Sequence, residues 1–367
     1  MSDTVSGPRV EASRDEADSV SPGPHGNDGL ADSWRVTVDS MSPDEVAAHN
    51  SKVLAEFGEW LAAAAKLEVS ERAEVRVERD IEFSIPGDGE SLLLDLYLPA
   101  RPVGLLPTIV WLHGGGWRLG DRSLCPDLER YFACRGYAMA NIEYRLSGRA
   151  KFPAALEDVR AAIRWVRTNA AAYGLDQDAV GLWGSSAGAH LGSLAATTAR
   201  EERDRVQAVV DGYGPTDFEL ADRQSLGGGL IHDDPQTPET EFLGVRIGQA
   251  DPALLRACNP VAHVTPAAPP FLIMHGTADL VVAPDQSKLL HEALVSAGVE
   301  STLYFLEGVS HGFFNGRLLE QRPTRPVRVF SSAGGEHREL DGPPPTLELI
   351  ERFFDRHLRW DPWRVDS

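Results

Sequence analysis

The sequence predicts an α/β fold with a mostly parallel central sheet and helices on both faces. Two observations carry this. From residue 74 to about residue 360, short apolar runs alternate with helix-compatible stretches, a rhythm that builds βαβ units. The chain has 367 residues, 42% of them hydrophobic, enough to bury one large core.

Taken in order, residues 1–33 are rich in Ser, Pro, Gly and acidic groups. They hold too little apolar surface to offset the entropy of ordering, so a disordered acidic tail is expected. Residues 34–73 form an N-terminal helical segment. Within it, Val46, Val53, Leu54, Phe57, Trp60 and Leu61 fall near helical spacing after a Ser42-Pro43-Glu45 start, which predicts an amphipathic helix over 42–66. It packs on the core or caps a pocket. The main α/β domain is expected over 74–360. "EVRVERDIEFSI" and "SLLLDLYLP" open it as antiparallel strands. Next come the strand "PTIVWLH", a helix near 124–135, the strand "YAMANIEY" and the helix "ALEDVRAAIRWVRTNAAAYG". After these come the strand "AVGLWG", a helix from Ala187, and the strand "VQAVVDGYG". Residues 213–268 break the rhythm with Gly, Pro and acidic groups, and are expected as an insertion at the sheet rim, where lids and binding loops occur. The strand "PFLIMHG", a helix near 285–297, the strand "STLYFLE" and the helix "TLELIERFFDRHL" complete the domain. Residues 316–345 have no assigned element.

A formal net charge of −20 repels phosphate backbones and anionic lipid, which excludes nucleic-acid and membrane-surface partners. Three cysteines, Cys125, Cys134 and Cys258, have neither disulfide-framework nor zinc-ligand spacing. No signal pattern or long apolar run is present, so a cytoplasmic protein is expected; a homodimer is left open.

The chemistry centres on "LWGSSAGAHLG". Gly184-Ser185-Ser186-Ala187-Gly188 is a GxSxG sequence between a strand and a helix. A nucleophile there sits on a strained turn whose small neighbours let the backbone pass close to itself. Ser186 is the candidate; Ser185, at the variable position, faces elsewhere. His113-Gly114-Gly115-Gly116-Trp117 follows the strand "PTIVWL". Its glycines let backbone N–H groups approach a substrate oxygen, so Gly115 and Gly116, with Ala187, are the candidate oxyanion donors. His113 itself is expected to be a structural hydrogen-bonding residue. Asp279, just past "PFLIMH", is the candidate that orients a histidine. Asp285 competes, but reads as a helix-start residue, and His275 as structural. His311, in "GVSHGF", is the candidate base. Trp117, Tyr144, Trp183 and Phe313, beside these motifs, are candidates for binding substrate or for core packing, and Phe314 likewise. No metal-ligand pattern occurs.

With "HGGGW", "EYRLS", "ALEDVRAAIRWV", "GSSAGAHL", "HGTAD" and "GVSHGF" in place, the chain resembles an α/β-hydrolase over residues 75–358. The resemblance is to the carboxylesterase branch that holds hormone-sensitive-lipase-like and feruloyl-esterase-like enzymes. It implies a Ser186–His311–Asp279 triad, an oxyanion hole of Gly115, Gly116 and Ala187, and no cofactor. The expected activity is hydrolysis of small carboxylic esters with short acyl groups. The alternatives are an arylformamidase-type amidase, a peptidase, or a non-catalytic binding protein on the same scaffold.

Overall fold

Side chains that alternate along the inner strands divide the core into two layers, one on each face of a ten-stranded sheet. A computed structural model describes residues 38, 40–64, 75–125, 128–316, 319, 326–332, 338–342 and 344–359. The expected tail at 1–33 lies outside the described residues, as does most of 34–73 beyond its helix.

The strands are β1 (Val75–Ser84), β2 (Leu92–Pro99), β3 (Leu106–Leu112), β4 (Ala138–Ile142), β5 (Leu175–Ser185), β6 (Ala208–Gly212), β7 (Phe271–Gly276), β8 (Ser301–Leu306), β9 (Val327–Ser331) and β10 (Arg338–Asp341). Their order across the sheet is β1-β2-β4-β3-β5-β6-β7-β8-β9-β10. The six central strands, β4 through β8, run parallel. Antiparallel pairs close both margins. Every residue of β3, β4, β6 and β7 is buried, as strands covered on both faces must be.

Around the sheet run α1 (Pro43–Ala64), α2 (Leu128–Ala133), α3 (Ala154–Thr168), α4 (Ala187–Thr197), α5 (Phe218–Gln224), α6 (Pro238–Leu243), α7 (Pro252–Cys258), α8 (Pro284–Ser296) and α9 (Leu347–Leu358). Val110, Leu112, Val180, Leu182 and Ile273 turn toward α3, α4 and α8. Their strand neighbours Ile109, Trp111, Trp183 and Met274 turn toward α2 and α9. In α9, Ile350, Phe354 and Leu358 recur every four residues and are buried. Each such side chain contributes about 1.5–3 kcal/mol.

The sequence gives no element for 316–345, yet β9 and β10 lie there and extend the sheet beyond β8. Val327 and Val329 face inward while Arg328 stands between them, a two-residue alternation too short to stand out among polar neighbours. The insertion at 213–268 carries three short helices, α5, α6 and α7, between β6 and β7. The start of α1 is a reciprocal cap: Ser42 N donates to Glu45 Oε2 at 2.8 Å and Glu45 N to Ser42 Oγ at 3.4 Å.

Candidate active site

Carboxyl ends of adjacent parallel strands bring distant residues together, and here β5, β7 and β8 deliver Ser186, Asp279 and His311 to one rim. Ser186 follows the last residue of β5 at φ 52°, ψ −119°, a region a side-chain-bearing residue enters only under strain. Its neighbours allow the turn. A Cβ on Gly188 would lie 2.1 Å from the Leu112 carbonyl oxygen, and one on Gly184 would lie 2.4 Å from the backbone of Gly188. The turn aims the N-terminus of α4, and the positive end of its dipole, at the site.

His311 Nε2 is 2.9 Å from Ser186 Oγ, and His311 Nδ1 is 2.6 Å from Asp279 Oδ2. The carboxylate can only accept, so His311 carries its proton on Nδ1 and leaves Nε2 to receive the serine proton. Burial alone would raise the Asp279 carboxyl, but the imidazoles of His311 and His275 outweigh it and hold the group well below the usual carboxylate range. Asp279 Oδ1 accepts the N–H groups of Val281 and Val282, each at 2.9 Å. Tyr213 meets the His311 ring edge-on at 4.8 Å. Three groups thus stand in one line, each oriented by the next, an arrangement able to activate a hydroxyl as a nucleophile.

The loop after β3 lies opposite. Gly115 has φ 114° and a Cβ there would fall 2.2 Å from the Leu119 carbonyl oxygen, so only glycine fits. Among the described residues the N–H groups of Gly115, Gly116 and Ala187 are matched with no protein acceptor. The segment after β4 fastens this loop. Tyr144 stacks on His113 at 4.3 Å and donates its hydroxyl to His113 O at 2.8 Å, and Ser147 N donates to Trp117 O at 2.7 Å. That segment is itself clamped by Arg145, whose guanidinium forks onto buried Asp158 at 2.8–3.0 Å. "EYRLS" and "ALEDV" meet in this pair. His113 is buried, which lowers its pKa to about 4; it is neutral and donates Nδ1–H to Gly114 O at 2.7 Å.

A narrow cavity of about 60 Å³ opens on Ser186, lined among others by Gly115, Gly116, Trp117, Glu239 and Val282, with Leu54 of α1 also at its wall. Outside it, a cleft of about 570 Å³ runs between α1 and the insertion, past Arg118, Gln236 and Glu241. A wider cleft, about 980 Å³, lies at the opposite strand ends near Leu105, Gly136 and Asp176, away from Ser186. Asn50 ties α1 to the insertion: its Nδ2 donates to Ile231 O at 2.8 Å and its Oδ1 accepts Ile231 N at 2.9 Å.

Of the four aromatic candidates, Trp117 alone lines the narrow cavity. Tyr144 supports the glycine loop, and Phe313 packs on Tyr213 and Phe314. For Trp183 the structure favours core packing over substrate binding: strand parity turns it into the α2–α9 layer, against Trp111, Phe132 and Phe314. Asp285 is exposed in the first turn of α8, away from the histidine. Two contacts have no signal in the sequence. His275, fully buried, donates Nε2–H to Val282 O at 2.9 Å while that nitrogen lies 3.2 Å from Asp279 Oδ2. Glu239 reaches the cavity wall with buried His232 at 3.0 Å behind it. No described helix is long and apolar enough to cross a membrane.

A model of the BD-FAE family matches residues 94–294. The chain is 31% identical over 252 residues to Esterase LipC of Mycobacterium tuberculosis (strain ATCC 25618 / H37Rv), covering 62% of this chain and 58% of the relative. It is 34% identical over 247 residues to Esterase LipQ of the same strain, covering 64% and 56%. The chain thus spans little more than half the length of these curated relatives. Among solved structures, a thermophilic esterase from the Planctomycetes species Thermogutta terrifontis superposes with a TM-score of 0.58 at 27% identity. That match covers 83% of this chain and all of the other.

Proposed function

The chain belongs to the BD-FAE family, and we propose that it is a serine carboxylesterase acting on soluble esters with short acyl groups. The observation that carries this reading is the hydrogen-bonded line from Ser186 Oγ through His311 to Asp279, at 2.9 and 2.6 Å. The names of its relatives agree with it.

Ser186 Oγ attacks the ester carbonyl carbon as His311 Nε2 takes its proton. Negative charge moves to the carbonyl oxygen, where the N–H groups of Gly115, Gly116 and Ala187 receive it; one such donor contributes on the order of 10²–10³ in rate. Asp279 holds the resulting imidazolium. The tetrahedral intermediate collapses, His311 returns the proton to the leaving alcohol, and the acyl group remains on Ser186. Water then attacks the acyl carbon as His311 Nε2 takes its proton, and that proton passes to Ser186 Oγ as the bond to the acyl group breaks and the acid leaves.

The short-acyl preference rests on the small cavity at Ser186, with Leu54 at its wall. In this reading α1 and the insertion together form the cap that restricts chain length. The net charge of −20 disfavours anionic interfaces.

Measuring kcat/KM for p-nitrophenyl esters from acetate to palmitate, beside an arylformamide, tests the reading. We expect a sharp fall beyond about six carbons, since a closed pocket forgoes the roughly 0.8 kcal/mol that each further methylene offers. A steady rise to palmitate, or faster turnover of the formamide than of acetate, would overturn it.

A further inference from the structure

Asp279 has a second imidazole beside it. His275, near the end of β7, is fully buried. Its Nε2 lies 2.9 Å from Val282 O and 3.2 Å from Asp279 Oδ2. A carbonyl and a carboxylate can only accept, so the proton sits on Nε2. Nδ1 lies 2.7 Å from the Oγ of Ser287, at the start of α8, and that hydroxyl can donate to it. One proton on the ring therefore satisfies both nitrogens, and each is matched to a different element.

These contacts close on the turn that carries the carboxylate. Val282 N donates to Asp279 Oδ1 at 2.9 Å, as does Val281 N, while Val282 O accepts from His275. His275 thus grips the far end of the turn and also touches Asp279 itself. It does so from β7, which pairs with β8 from Phe271 to Gly276, and β8 leads to His311. The tolerance is small, because Asp279 Oδ2 stands 2.6 Å from His311 Nδ1, and a shift of about 1 Å in such a group can cost on the order of 10²-fold in rate. Direct chemistry by His275 is excluded by its place: neither it nor Ser287, itself buried, lines the narrow cavity or the cleft outside it.

We propose that His275 is a positioning residue for the Ser186 chemistry: it clamps the turn at 279–282 and holds the Asp279 carboxylate on His311. This rests on the esterase reading and adds to it a residue that acts through Asp279 and never meets the substrate. Ser287 sets the clamp by holding the other side of the ring. The two ring nitrogens divide the work, and amide side chains separate them. Glutamine reaches as far as Nε2 and can offer an N–H there. Asparagine ends at the level of Nδ1, where its amide can meet Ser287 but cannot reach Val282 O or Asp279.

The experiment measures kcat and KM for p-nitrophenyl acetate in the unaltered protein, His275→Asn, His275→Gln, Asp279→Asn and the double variant His275→Asn/Asp279→Asn. For His275→Asn, kcat should fall about 10- to 100-fold, with KM changed by less than about threefold, since the loss is one of alignment and not of substrate contact. His275→Gln should keep a kcat at least about fivefold above that of His275→Asn, because it restores an N–H at the Nε2 position. On the Asp279→Asn background, His275→Asn should cost less than about threefold more, as the group it positions is already gone. A residue that only stabilised the core would give losses that multiply. Melting curves identify a variant that does not fold; His275→Leu, close in volume and without either contact, then takes the place of His275→Asn. An unchanged kcat in His275→Asn, equal losses in the Asn and Gln variants, or losses that multiply with Asp279→Asn would each overturn the proposal. If the unaltered protein cleaves the acetate, any of these results rejects the clamp alone; if it cleaves no ester of the series, the esterase reading falls and the clamp falls with it.

Discussion

Replacing Asp279 with asparagine removes a charge and gains one amide N–H2, and the surroundings of Asp279 leave no good place for that donor. One carboxylate oxygen accepts two backbone N–H groups at 2.9 Å, and the other faces His311 Nδ1 at 2.6 Å and His275 Nε2 at 3.2 Å. With the amide oxygen on the backbone side, the N–H2 group meets both imidazoles. His311 must then offer a bare Nδ1, carry its proton on Nε2, and point that proton at Ser186 Oγ, so the base is lost. With the amide reversed, two backbone donors face a third donor and the imidazolium still lacks its counter-charge. The expected loss in kcat is about 10³- to 10⁴-fold, or roughly 4–5.5 kcal/mol at 1.36 kcal/mol per decade, with KM little changed. Asp285→Asn is the comparison. That residue is exposed in the first turn of α8, so its loss should change kcat by less than about twofold and weaken the helix end by about 0.3–1 kcal/mol. Initial rates with p-nitrophenyl acetate give both values. A loss below tenfold for Asp279→Asn, or equal losses in the two variants, would refute the reasoning.

Asn50→Ala deletes both hydrogen bonds to Ile231 and leaves a buried backbone donor and acceptor unmatched, at a cost of about 1–3 kcal/mol for each stranded group. With α1 loosened, kcat/KM for octanoate relative to acetate should rise several-fold; an unchanged chain-length profile would show that Leu54 does not limit the cavity. Stability should fall as pH drops from about 6.5 toward 4. Burial lowers His113 and His190 to about 4, so in that window the unfolded chain binds protons that the folded chain refuses. His232 works in the opposite sense: its pKa is raised, so its contribution is full below the ordinary histidine pKa and fades as pH rises through its own. Urea unfolding at pH 5 and pH 7 checks the net effect, and equal or higher stability at pH 5 would contradict it.

How much of this was legible in the sequence follows from where each contact is made. The alternation of strands and helices is a local pattern, and it places Ser186, Asp279 and His311 after β5, β7 and β8 because loops at the carboxyl ends of parallel strands share one rim. The glycines around Ser186 and in the loop after β3 carry the backbone conformations there, so they too are readable. Trp183 stayed open between substrate binding and core packing because proximity in sequence to a motif says nothing about which face of a strand a residue takes. Its parity with Ala179, opposite to Val180 and Leu182, holds the answer. β9 escaped because its short alternating run gains stability from pairing with β8, and β10, exposed along its length, is a strand only through its pairing with β9. The approaches of His275 to Asp279 and of Glu239 to His232 and the cavity depend on tertiary packing, and nothing near them in the sequence announces either.

The central claim is that Ser186 is the atom-bearing nucleophile, and covalent capture tests it most directly. A fluorophosphonate reacts with an activated serine hydroxyl, losing fluoride and leaving a stable phosphonyl group on the oxygen, after which peptide mass mapping locates the adduct. The account predicts one adduct per chain on Ser186, loss of esterase activity in step with labelling, no adduct in Ser186→Ala, and full labelling in Ser185→Ala. An adduct on Ser185, or esterase activity that persists in Ser186→Ala, would contradict it.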